Sequence, residues 1–202
     1  MPLKLNSILI PAVLFLAASL PLSSQTLPAA RQGGLPIMVG AGVSDFEMDF
    51  GPGRRMLGPS VWAVWNFYNA PRLLNGFGIV VEGHDIAYDR PAAFARMRQL
   101  TGEGGGIYTW RRFRKVHPYA EAMAGIGSID FPAPRGSTYN HDTFTINSWA
   151  VGGEYDLYRS IWLRGDWEYQ FWHHTFGSND LNPEGFTVGL SYDFRQLHFH
   201  RH

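Results

Sequence analysis

Thr187-Val188-Gly189-Leu190-Ser191-Tyr192-Asp193-Phe194 reads as a strand with two unlike faces. Side chains alternate sides along a strand, so Phe186, Val188, Leu190, Tyr192 and Phe194 share one face. Thr187, Gly189, Ser191, Asp193 and Arg195 share the other. The apolar face ends in aromatic rings, which favour the boundary between hydrocarbon and water.

The same alternation returns upstream. Ile161, Leu163, Gly165, Trp167, Tyr169 and Phe171 oppose Arg164, Asp166, Glu168 and Gln170. Phe77, Ile79 and Val81 oppose Glu82 and His84, and Ala120, Ala122, Ala124 and Ile126 oppose Tyr119, Glu121 and Met123. In the stretch around Trp149, Val151, Tyr155 and Leu157, Phe144 and Ile146 break phase, which predicts a bulge or emergence from the membrane. Altogether eight strands are predicted, over 36–48, 59–69, 76–88, 100–112, 117–128, 143–157, 160–173 and 185–197. Each is long enough for a tilted strand to cross a bilayer.

Spacing between the strands sorts into two kinds. Connections after the second, fourth and sixth strands read as short, and those after the first, third, fifth and seventh as longer and rich in Pro, Gly, Asn and Asp. Short periplasmic turns and long outer loops would give that pattern. The fold class predicted is all-β: an eight-stranded antiparallel up-and-down transmembrane barrel occupying 36–197. Before it lie a signal peptide over 1–24 and a periplasmic segment over 25–35. The signal peptide is read from Lys4 and the short apolar run Ile8–Ala18, with cleavage after Ser19 or Ser24. A tail, 198–202, carries His198, His200 and His202.

Composition narrows the function. The 202 residues include 17 basic and 17 acidic side chains, so no basic field suited to nucleic acid exists. There is no Cys, which excludes disulfides, thiolate metal sites and a lipidated Cys. Aromatics make up 15% of the chain and glycines number 23, a pairing that suits curved membrane strands with aromatic girdles.

These features resemble the small eight-stranded bacterial outer-membrane barrels related to the membrane domain of outer-membrane protein A. The resemblance is most specific at Trp167-Glu168-Tyr169-Gln170-Phe171-Trp172 and in the last strand. There, Thr187, Gly189, Tyr192 and Phe194 occupy the places of the family's C-terminal assembly signal, followed here by Arg195 to His202. The resemblance implies export to the outer membrane of a diderm bacterium. It also implies contact with the barrel assembly machinery and with outer-membrane lipid and lipopolysaccharide.

A barrel of eight strands is just wide enough for side chains to fill it. Glu82, Arg111, Glu121, Glu154, Arg164, Asp166 and Glu168 are the candidates for an ionic network in the lumen, because buried charges must be paired. Arg111-Arg112-Phe113-Arg114-Lys115, at a predicted periplasmic turn, suits either lipid phosphates or water. The Gly102-Glu103-Gly104-Gly105-Gly106 run lacks the Lys-Ser/Thr of a phosphate loop.

Two other functions compete with a structural or surface-display barrel. The first is a lipid A deacylase-like hydrolase using His173 or His174 with Ser178. Those enzymes carry His and Ser two positions apart, and here Thr175 and Phe176 stand there. The second is a soluble periplasmic barrel with lipocalin-like architecture, in which Trp167 and Phe171 would point inward and Arg164 outward. The expectation is a non-enzymatic barrel with no catalytic, cofactor or metal site.

Overall fold

Alternating polar and apolar residues cannot satisfy both lipid and water on an open sheet, because its edges would leave backbone groups unpaired. The chain resolves this by closing on itself. In the computed structural model, the residues described are 35–49, 55–67, 71, 74–88, 97–131, 140–176 and 179–196. The proposed signal peptide over 1–24, nearly all of the 25–35 segment, Ser178 and the 198–202 tail lie outside them.

Eight long strands form the wall: β1 (Ile37–Glu47), β2 (Arg55–Asn66), β3 (Phe77–Tyr88), β4 (Met97–Thr109), β5 (Val116–Phe131), β6 (Asn140–Tyr158), β7 (Ile161–Phe176) and β9 (Glu184–Asp193). Between the last two, the short β8 (Asn179–Leu181) pairs with the far end of β7. Each long strand pairs antiparallel with its neighbour, and β9 pairs with β1 to close the ring. A circuit of paired residues starting at Ile37 passes Trp65, Ile79, Gly106, Ala122, Trp149, Tyr169 and Glu184, and returns to β1 at Glu47. That stagger, from position 37 to position 47, fixes a strand tilt of roughly 40° from the rise per residue and the strand spacing.

The outer face is apolar. Val39, Val61, Ile79, Val81, Leu100, Ile126, Val151, Leu163, Val188 and Leu190 are exposed on it. Aromatic rings gather toward its two ends. At the end where β1 begins and β9 finishes, called here the terminal end, Tyr108 packs against Phe77 and Trp110 at 4.8 and 4.9 Å between centroids. Toward the opposite, far end, Trp149 stands 5.0 Å from Trp167, and Tyr169 stands 4.8 Å from Phe171. Arg164 is completely buried and the rings of Trp167 and Phe171 lie on the outer side. The facing required by the lipocalin-like alternative is therefore reversed.

Three details differ from the sequence reading. Phe144 and Ile146 do not break phase: β5 pairs with β6 in a continuous register, and both residues point inward with Ala150 and Glu154. The lumen is apolar at their level, which is why an inward-facing Ile looked misplaced. The register shift in β6 falls instead at Asp156/Tyr158, beside the turn where Arg159 takes a positive φ of 51°.

The loop sorting also changes. β5, β6 and β7 continue beyond their predicted far ends, while Phe67–Gly76, between β2 and β3, is longer than expected. Much of the asymmetry lies in strand overhang rather than loop length. Finally, the last strand stops at Asp193, and Phe194 opens a 3-10 turn, Phe194–Gln196.

Candidate functional site

The interior is built in three layers. At the far end, Phe46, Met48, Met56, Ile86, Met97, Ile129, Ile146, Trp172 and Leu181 form one buried cluster. At the terminal end, Met38, Trp62, Val64, Val80, Ile107, Tyr119, Met123 and Trp162 form another. Between them lies a polar layer, and this is the candidate site.

Arg164 organises that layer from β7. Its Nη2 donates to Glu82 Oε2 on β3 at 2.9 Å and to Glu121 Oε1 on β5 at 3.0 Å. Its Nε donates to Asp166 Oδ2 at 3.1 Å. The planar guanidinium suits this branching, because its donors diverge at fixed angles. The Trp62 and Tyr119 rings each lie 4.8 Å from its central carbon, adding cation–π attraction in a dry setting. Tyr119 also donates its hydroxyl to Asp166 Oδ2 at 2.5 Å.

A second group adjoins the first. Gln170 Nε2 donates to Glu168 Oε1 at 2.8 Å and to Glu103 Oε1 at 3.2 Å. Ser148 donates to the other oxygen of Glu103. Gln99 Nε2 donates to Gln170 Oε1 at 3.0 Å, and Trp172 Nε1 reaches the same oxygen at 2.8 Å, tying this group to the far apolar cluster. His84 sits beside it: its Nδ1 lies 3.0 Å from Ser44 Oγ, which in turn lies 2.8 Å from Thr187 Oγ1. The remaining ring nitrogen of His84 faces Glu168 Oε2 at 3.3 Å and Glu82 Oε1 at 3.5 Å.

Of the seven residues singled out for the lumen, Glu82, Glu121, Arg164 and Asp166 meet in one ion-pair cluster, and Glu168 stands in the adjoining polar group beside Gln170 and His84. Glu154 is buried opposite Arg164 across the β6–β7 pair. Arg111 is half-buried at the terminal end, where its Nη2 donates to Asn66 Oδ1 at 2.5 Å.

The network expected from the sequence leaves out His84, Glu103, Gln99 and Ser148, which the structure adds to it. His84 was visible as the next inward position after Glu82. Glu103 was hidden in a glycine run whose strand propensity is poor.

The four positions of the C-terminal signal divide by face. Thr187 is fully buried, and Tyr192 is exposed on the outer wall with its ring 4.9 Å from Phe194. Gly189 sits at the β1–β9 seam, where an added Cβ would lie 2.3 Å from the Ala41 carbonyl oxygen and 2.5 Å from Gly42 Cα. His173 lies near the lipid-facing side, with Nε2 2.9 Å from Asn147 Nδ2, so it stands outside the lumen cluster.

A closed antiparallel barrel with an apolar exterior, aromatic girdles and a packed polar interior defines a small transmembrane barrel of the outer-membrane type. The chain belongs to the family of the outer membrane protein beta-barrel domain, whose model matches residues 12–194. No curated protein matches it.

Among solved structures, it is similar to Neisserial surface protein A (NspA), with a TM-score of 0.65 and 13% identity over 81% of this chain and 100% of that one. It is also similar to Ail, the attachment invasion locus protein of Yersinia pestis, with a TM-score of 0.53 and 15% identity over 80% and 99% of the two chains. At such identities the likeness is one of fold.

Proposed function

We propose that the chain is a non-enzymatic barrel of the outer membrane of a diderm bacterium, exported by the signal peptide read at 1–24. Its lumen is a fixed side-chain plug, and its far end faces outward and displays loops for adhesion or interaction. The observation that supports this best is the continuous filling of the lumen by two apolar layers around an ionic one. A diffusion pore needs a wet passage, and a small barrel filled in this way offers a rigid scaffold instead.

Outer-membrane lipid and lipopolysaccharide would contact the apolar wall and girdles, and Thr187, Gly189, Tyr192 and Phe194 would be read by the barrel assembly machinery. The names of NspA and Ail speak of surface and attachment, and Ail has been crystallised with the heparin analogue sucrose octasulfate, over a match with a TM-score of 0.51. Those relatives in fold favour display over catalysis.

The absence of cysteine makes the test direct. In intact cells, an impermeant maleimide should label Asp142→Cys at the far end and spare Arg112→Cys at the terminal end. The purified wild-type barrel should show no unit conductance in planar bilayers. Labelling of Arg112→Cys alone would invert the topology, and recovery of the protein in a detergent-free periplasmic extract would overturn the reading.

A further inference from the structure

Three side-chain atoms converge in the middle of the lumen without a hydrogen-bond partner: Glu82 Oε1, His84 Nε2 and Glu168 Oε2. All three residues are at least nine-tenths buried. Their atoms lie within 4.8 Å of one another, and no other described group of His, Cys, Asp and Glu gathers in this way. Glu82 and His84 are alternate inward positions on β3, and Glu168 comes from β7 on the opposite wall of the ring. We propose that these atoms form a buried site for a first-row divalent cation, zinc in character, which ties β3 to β7 across the lumen.

Distances favour a metal over a direct ion pair. An imidazolium donating to a carboxylate comes to about 2.7–2.9 Å. Here the His84 nitrogen stands 3.3 Å from Glu168 and 3.5 Å from Glu82. Those two separations match the edge of a tetrahedron whose centre lies about 2.0–2.1 Å from each ligand, the spacing of zinc to nitrogen and oxygen, and the two carboxylate oxygens lie within 4.8 Å of each other.

Each ligand is also held from behind. Arg164 donates to the other oxygen of Glu82 at 2.9 Å, and Gln170 donates to the other oxygen of Glu168 at 2.8 Å. Ser44 Oγ lies 3.0 Å from His84 Nδ1, so when that nitrogen donates to the hydroxyl, Nε2 is left as the ligand atom. One imidazole with two carboxylates suits zinc, manganese or iron rather than a soft ion.

Charge points the same way. Among the described residues, Glu82, Glu103, Glu121, Glu154, Asp166 and Glu168 are buried together with Arg164 and His84, while buried Asp193 has Arg195 as its own partner. Buried carboxylates in such excess need further cations or must stay protonated. A divalent ion at this point would offset two of them. Apolar layers lie on both sides of the site, so the ion would enter as the barrel closes and leave slowly.

The full chain should therefore be refolded into detergent with Zn²⁺, washed with EDTA, and assayed for metal by elemental analysis. The expected result is one retained zinc per folded barrel, with Co²⁺ giving a visible d–d band when refolded in its place. His84→Ala and Glu168→Gln should each lower retention at least tenfold, with folding checked by heat-modifiable migration.

The tail variant H198A/H200A/H202A should keep the metal. Failure of the wild-type chain to retain zinc or to develop the cobalt band would overturn the site, whatever the variants do. Retention lost only in the tail variant, or unchanged in folded His84→Ala and Glu168→Gln, would also overturn it. None of these outcomes depends on which end of the barrel faces the medium.

Discussion

Arg164 and Glu82 meet across the lumen from strands on opposite walls, with Nη2 2.9 Å from Oε2 and neither side chain meeting solvent. The pair spans the ring, so it constrains two strands that share no backbone hydrogen bonds. Removing the guanidinium would strand Glu82, Glu121 and Asp166 in a dry interior. Breaking one side of a buried ionic cluster costs about 3–5 kcal/mol. Arg164→Leu should therefore lower the midpoint of urea unfolding in detergent, read by tryptophan fluorescence. An unchanged midpoint would remove Arg164 from any role in stability.

Trp172 closes the far layer. It is fully buried, its Nε1 holds Gln170, and its ring lies where a side chain on Gly127 would have to go, within 2.3 Å of an added Cβ. Trp172→Ala should cost about 3–5 kcal/mol through lost burial and the cavity left behind. Ion conductance should stay absent, because the Arg164 layer and the terminal apolar layer remain. Conductance gained by Trp172→Ala would show that this one ring seals the lumen.

Which parts of this arrangement were legible in the sequence follows from period and context. The strict alternation at Leu163–Phe171 and at Thr187–Tyr192 exposed both faces of the wall, because lipid demands an unbroken apolar face. Arg164 and Glu82 stood out as charges on the opposite face. Their mutual contact did not, since periodicity gives a face and says nothing of which strands confront each other across a ring.

Phe144 and Ile146 were misread for a related reason. An inward face that changes from polar to apolar along its length looks like a phase error until the layers are seen. The long overhangs of β5 to β7 were hidden by Pro, Gly and Asn near their ends, which signal turns regardless of what pairs beyond them.

The β1–β9 seam leaves no room for a side chain at Gly189, as the wall also does at Gly58, Gly105 and Gly125. A Cβ at Gly189 would press on the Ala41 carbonyl and Gly42 Cα, both backbone atoms that cannot swing aside. Gly165, one strand over, has only the Thr187 oxygen at 3.8 Å and a Val188 methyl at 4.0 Å near such a position. Gly189→Val should thus prevent closure, seen as loss of the fast-migrating folded band on an unheated gel. Gly165→Ala should fold with little change. Equal folding of both variants would mean that the seam widens freely.

Leu163 and Leu190 lie directly opposite each other on β7 and β9, and both are exposed on the outer wall. In water, two such exposed leucines would be unfavourable but tolerable. In hydrocarbon they are favoured, and a charge there is not. A lipid-facing Arg near the bilayer midplane costs about 2–4 kcal/mol, falling toward zero near the interface. Leu190→Arg should therefore destabilise the barrel by that order in lipid vesicles, and Leu57→Arg, close to the far rim, by much less.

A spin label at either Leu163 or Leu190 should also be reached readily by oxygen dissolved in acyl chains and poorly by a polar relaxant. Equal penalties at positions 190 and 57 would place the hydrocarbon boundary elsewhere on the wall. Labels shielded from oxygen at both leucines would mean that protein, not lipid, covers this face.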